Sequence, residues 1–128
     1  MLNKRWYSFF YLVWLLVLVY LSLRPNLKGP GIQIPYFDKL AHLGFYFVAS
    51  LLFLTALDKT SLVSIKTTNK ILWTLLIHLF LGGVIEVIQE YYVSGRSGEF
   101  ADFLANASGI SIAILLYSSR WNYFSHSN

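Results

Sequence analysis

"LGGVIEVIQEYYVSGRSGEFADFLANASGISIA", Leu81 to Ala113, begins and ends apolar. Its middle carries Glu86, Gln89, Glu90, Arg96, Glu99, Asp102 and Asn106, so four of the chain's six carboxylates fall in this one stretch. Within it, "VSGRSGE" sets Gly95 and Gly98 around Arg96. That is turn chemistry, and it places the start of a helix near Glu99. The stretch therefore reads as the end of one apolar helix, a tight turn and the start of another, with acids gathered at the hairpin.

The rest of the chain says what surrounds that hairpin. Of 128 residues, 56% are hydrophobic and only 12% charged. A soluble domain carries about 25% charged residues. So few charges do not build a water-facing surface, which leaves the lipid bilayer as the expected solvent. There is no cysteine, which excludes disulfides, thiolate metal sites and a thiol nucleophile. The formal net charge of +4 comes from bases scattered in ones and twos between apolar runs. That pattern suits membrane flanks and argues against nucleic acid as a partner.

A span needs about 20 mainly apolar residues. Four segments qualify: Trp6 to Leu23, Leu40 to Leu57, Ile71 to Ile88 and Phe100 to Ser119. The expected fold class is all-α, a multi-pass membrane bundle of four transmembrane helices forming one domain over residues 1–128. Lys4 and Arg5 precede the first run, as in a signal peptide, but the run is longer than the usual h-region and no A-x-A-like site follows. It reads as an uncleaved first helix. "LRPNLKGPGIQIPYFD" holds Pro25, Pro30 and Pro35 and is read as a loop ending at Asp38, a first-turn acid for the second span.

Four spans put both termini and the loop from Asp58 to Lys70 on one side. That side holds Lys4, Arg5, Lys59, Lys66, Lys70 and Arg120; the other holds Arg24, Lys28, Lys39 and Arg96. The excess of bases assigns the termini to the cytoplasm of a bacterial inner membrane. All the acids except Asp58 fall at the opposite end.

Helical spacing sorts the polar residues into stripes. Asp38, His42 and Tyr46 share one face of the second span. His78, Gly82, Glu86 and Gln89 share a face of the third, and Asp102, Asn106, Gly109 and Ala113 a face of the fourth. Ionisable groups in lipid turn toward the bundle interior, so the stripes are expected to converge near the non-cytoplasmic surface. Gly82, Gly83, Gly109 and Ala113 are expected to let helices approach closely. If the cluster serves only to fix packing, Arg96 can pair with Glu86 or Asp102; Glu90 and Glu99 are expected to be solvated rim residues. His78, at mid-span, reads as an interhelical hydrogen bond. The first span has no polar stripe. Its Trp6, Tyr7, Tyr11, Trp14 and Tyr20 read as lipid-facing or interfacial, which makes it peripheral.

These features resemble the VanZ-like family of small bacterial membrane proteins. "DKLAHLGFYF", Asp38 to Phe47, fits the family's D-K-x-x-H-x-x-x-Y helix opening. Glu86 and Gln89 in "IEVIQ", Arg96 in the loop, and Asp102, Asn106 and Gly109 in "DFLANASG" follow in the family's order. Where many relatives carry a second glycine, this chain has Ala113. The resemblance covers about Leu23 to Leu116. It implies an envelope protein of the kind linked to low-level resistance to teicoplanin, a lipid-tailed glycopeptide antibiotic, with no assigned biochemical mechanism.

Three functions fit the residues. In the first, a non-enzymatic membrane protein binds a lipid-tailed glycopeptide or a lipid-linked envelope precursor. Its polar pocket is formed by Asp38, His42, Tyr46, Glu86, Gln89, Arg96, Asp102 and Asn106, and Arg96 meets a phosphate or carboxylate. In the second, an intramembrane enzyme uses either His42 as a general base or a divalent metal on His42, Glu86 and Asp102. The third is a scaffolding subunit of a membrane complex. No cofactor, catalytic residue or oligomeric state is specified by the sequence.

Overall fold

The computed structural model describes residues 4–25, 36–60 and 65–125. These form four helices: α1 (Lys4–Leu23), α2 (Phe37–Thr60), α3 (Thr67–Tyr92) and α4 (Phe100–Ser125). There is no strand among the described residues. The proline-rich loop falls largely in residues 26–35, so Lys28, Pro30 and Pro35 lie outside the described residues.

Each apolar run becomes a helix because lipid offers nothing to hydrogen-bond with, so the backbone must satisfy itself. The helices hold 20, 24, 26 and 26 residues. At about 1.5 Å per residue they reach or exceed a hydrocarbon core of about 30 Å. All four are long and apolar enough to cross a membrane. α2 and α3 run several residues past their apolar cores, through the polar ends Phe37–Lys39 and Thr67–Lys70.

Burial follows the membrane pattern. The fully buried side chains include Ser50, Thr74, His78, Gln89 and Asn106, whereas Leu16, Phe80 and Leu115 are each about 70% exposed or more. In water that distribution would cost heavily; in lipid it puts apolar surface against acyl chains and polar groups against each other. Tyr20, Tyr36, Tyr91 and Tyr92 are exposed around the end that carries the α3–α4 turn. Aromatic residues of this kind sit at a membrane interface.

Side-chain pairs fix the register. Lys39 meets Asp102, His42 meets Asn106 and Asp58 meets Tyr117, so α2 and α4 run parallel. Tyr11 meets His78, and Gln89 bonds the carbonyl of Ser22, so α1 and α3 also run parallel. This is up-down-up-down topology, with α2 and α4 forming the largest interface and α1 packing mainly on α2. The α2–α4 contact is close because Gly109 lacks a side chain: a Cβ there would lie 2.2 Å from the Leu43 carbonyl oxygen.

α1 is more than peripheral. It is the least buried helix, but Leu18 is fully buried and Tyr11 and Ser22 nearly so. Trp14, expected to face lipid, donates its indole N–H to the Phe45 carbonyl at 3.0 Å. Tyr11, also expected to face lipid, packs against Phe53 and His78. Trp6 and Tyr20 are exposed.

Candidate functional site

The polar residues of the opening stretch gather at the end of the bundle that holds the α3–α4 turn. Val93 leaves α3 in extended conformation, and Gly95 takes φ 80°, the left-handed region that glycine occupies without steric cost. The Arg96 N–H closes the turn on the Val93 carbonyl at 3.2 Å.

The first N–H groups of a helix have no partner within it. Ahead of α4, acids from α3 hold the two residues that lead into it. Glu90 Oε2 accepts from the Gly98 N–H at 2.8 Å, and Glu86 Oε2 accepts from the Glu99 N–H at 3.1 Å. The Glu99 carbonyl then accepts from the Asp102 and Phe103 N–H groups. Glu90 and Glu99 are exposed, as expected for a rim, but both are engaged: Glu90 with the turn, Glu99 with Lys39 at 2.8 Å.

The far end of a helix leaves carbonyls open instead. Near the end of α1, the Ser22 carbonyl accepts from Gln89 Nε2 at 2.7 Å and from Arg96 NH1 at 3.0 Å. Arg96 NH2 lies 3.4 Å from Asp38 Oδ1. The pairing of Arg96 with Glu86 or Asp102 is therefore corrected: Arg96 ties the turn to α1 and to the start of α2. Both terminal nitrogens are used within the protein, so Arg96 is a clamp more than a free anion receptor. Gln89 likewise faces α1 and not the α2–α4 side of the cluster.

Lys39 takes that pairing in place of Arg96. Its ammonium sits 2.8 Å from Glu99 Oε2 and 3.1 Å from Asp102 Oδ1, joining α2 to α4. It was visible in "DKLAHL" but resembled an ordinary flanking base. Its offset from Asp102 matches that of His42 from Asn106 by one residue, a signal that appears only once α2 and α4 are known to be parallel.

Deeper in, His42 Nδ1 lies 3.0 Å from Asn106 Oδ1 and 3.6 Å from Glu86 Oε1. His42, Glu86, Asp102 and Asn106 are all buried. Tyr46, one turn below His42, is fully buried beside Gly82. Three buried atoms here, Glu86 Oε1, Asn106 Nδ2 and the Tyr46 hydroxyl, have no hydrogen-bond partner. Asp38, His42 and Asp102 can each offer a ligand atom within 4.8 Å of the others. This set differs from the trio of His42, Glu86 and Asp102 in one member, Asp38 in place of Glu86.

Gly82 packs tightly, with Asn106 Nδ2 3.0 Å from where its Cβ would be. Ala113, like Gly109, is buried in the interior. Gly83 does not mediate close approach as expected, since nothing comes nearer to its Cβ position than Phe103 Cε2 at 3.9 Å. Instead it lines a groove of about 280 Å³ between α3 and α4. Gly83, Val87, Tyr91, Phe100 and Phe103 form its apolar wall, and Glu86, Glu90 and Glu99 its polar edge.

No family model, no curated protein and no solved structure matches the chain. The likeness to VanZ-like proteins therefore rests on the quoted motif residues alone.

At the opposite end of the bundle, Asp58 accepts from Tyr117 at 2.8 Å and pairs with Lys70. His78 Nδ1 lies 2.9 Å from the carbonyl of Thr74 in its own helix, and Nε2 lies 3.5 Å from the Tyr11 hydroxyl. These groups join helices far from the hairpin cluster.

Proposed function

We propose that this chain is a VanZ-like protein of the bacterial inner membrane that binds a lipid-tailed amphiphile at the non-cytoplasmic surface. The observation that carries the reading is the junction of an apolar groove with a carboxylate edge at one end of a membrane bundle. A tail lying against Val87, Phe100 and Phe103 would bring a head group to Glu86, Glu90 and Glu99. Aromatic and aliphatic walls with a few placed polar groups are the usual makeup of a small-molecule site. Five carboxylates, Asp38, Glu86, Glu90, Glu99 and Asp102, face two bases, Lys39 and Arg96, so the head group that suits this edge carries ammonium and hydroxyl groups. A lipid-tailed glycopeptide such as teicoplanin offers that chemistry, and a lipid-linked precursor of the cell wall offers it in the part of its head group beyond the phosphates. A teicoplanin-resistance role and a housekeeping envelope role are the two forms of this reading.

Gly83→Trp tests it. A Cβ at Gly83 meets nothing nearer than Phe103 Cε2 at 3.9 Å and Gly83 lines the groove, so the variant is expected to fill the groove and leave the bundle intact. Fluorescent teicoplanin and a lipid-linked cell-wall precursor are each titrated into protein in nanodiscs. At least one binds saturably to the wild type, and at least tenfold more weakly to Gly83→Trp. Absence of binding by both, or equal binding by the variant, contradicts the reading.

A further inference from the structure

The geometry points to a divalent transition-metal site formed by Asp38, His42 and Asp102, with Glu86 behind the imidazole. Its three ligands sit on α2 and α4 and none of them lines the α3–α4 groove, so metal binding is read apart from amphiphile binding.

Two independent observations meet here. The first is the ligand set: one imidazole and two carboxylates with ligand atoms within 4.8 Å of one another. Ligands about 2.1 Å from a tetrahedral ion lie about 3.4 Å apart, so each side chain has to move by less than about 1 Å. The second is Glu86. Its residue is 9% exposed, and its Oε1, without a hydrogen-bond partner, lies 3.6 Å from Nδ1 of His42, on the Asn106 side of the ring. A carboxylate behind the imidazole holds the ring and raises the basicity of the opposite nitrogen.

The hydrogen bonds leave ligand atoms available. Lys39 takes Oδ1 of Asp102, and Arg96 approaches Oδ1 of Asp38. Oδ2 of each makes no hydrogen bond among the described residues. With Nδ1 of His42 donating to Asn106 Oδ1 at 3.0 Å, Nε2 carries the ring's lone pair. Orientation of a ligating histidine through its other nitrogen is the usual support of a metal site. An imidazole with carboxylates selects manganese, iron or zinc over calcium or magnesium.

The test uses the full chain in detergent, treated with chelator and titrated with Mn²⁺ alone. One Mn²⁺ binds per chain, and its pulsed electron paramagnetic resonance spectrum shows nitrogen coupling from an imidazole. Asp38→Asn weakens binding at least tenfold; its side chain is half exposed, so the fold tolerates it. His42→Gln removes the nitrogen coupling. Asp58→Asn, at the opposite end, leaves binding within twofold of wild type. If His42→Gln does not accumulate, the coupling in wild type and the Asp38→Asn titration decide. No stoichiometric Mn²⁺, bound Mn²⁺ without nitrogen coupling, or binding undiminished in Asp38→Asn each overturns the site.

Discussion

His42 on α2 and Asn106 on α4 meet through Nδ1 and Oδ1 at 3.0 Å, with both residues buried. Each sits one turn beyond a second α2–α4 contact, Lys39 with Asp102, so the two form rungs of one ladder. Interhelical hydrogen bonds in lipid average about 0.6 kcal/mol and reach about 1.7. Asn106→Leu removes the acceptor and leaves the His42 N–H to find another. We expect a loss of about 1–2 kcal/mol in detergent unfolding, accompanied by loss of the His42 tautomer preference in nitrogen NMR.

Two glycines on facing helices separate packing from open space. A Cβ at Gly109 would lie 2.2 Å from the Leu43 carbonyl oxygen, whereas one at Gly83 would meet nothing inside 3.9 Å. Gly109→Ala should therefore lower stability by about 1–3 kcal/mol or more, because α2 and α4 must part. Gly83→Ala should change it by less than about 0.5 kcal/mol. Thermal unfolding of the two variants side by side checks the contrast.

Lys39 is the cation nearest the buried Asp102 carboxylate. Lys39→Gln leaves that group without its charge partner and should cost about 1–2 kcal/mol. Lys39→Arg should restore most of it, since the second partner, Glu99, is exposed and leaves room for the larger head. If a cation binds at Asp38, His42 and Asp102, Lys39→Gln should also tighten Mn²⁺ binding, because one competing positive charge is gone.

Four crossings with the base-rich ends inside make a topology prediction. The chain has no cysteine, so Ser97→Cys carries the only thiol. Ser97 is exposed in the α3–α4 turn. A membrane-impermeant maleimide should label it from outside intact cells, and reporters fused at Asn128 or inserted within Thr67–Asn69 should read cytoplasmic. Labelling only after permeabilisation would reverse the orientation.

The four helices were legible because each apolar run announces itself by length, and the hairpin because Gly95 and Gly98 bracket Arg96. The stripes were legible too: His42, Glu86, Asp102 and Asn106 do converge. What the sequence hid were contacts that depend on relative helix placement or on backbone. The Ser22 carbonyl, which receives Gln89 and Arg96, has no side-chain signature. Lys39 differs from any flanking lysine only through the parallel register of α2 and α4. Trp14 and Tyr11 read as lipid-facing because their partners, a carbonyl on α2 and an imidazole on α3, are distant in sequence.

The central claim is that the hairpin carboxylates serve a ligand in addition to the fold, and Glu86→Gln tests it most directly. One Glu86 oxygen already has a structural task, accepting from the Glu99 N–H, and a glutamine carbonyl keeps it. The other oxygen is buried without a partner, so replacing it by an amide removes charge without removing an observed hydrogen bond. Binding of fluorescent teicoplanin or of the lipid-linked precursor, whichever the wild type takes, is measured together with the melting temperature. The account predicts a melting temperature within about 3 °C of wild type, or higher, and binding weakened at least tenfold. Full binding by a stably folded Glu86→Gln protein would contradict it and reduce the cluster to a set of helix-joining contacts.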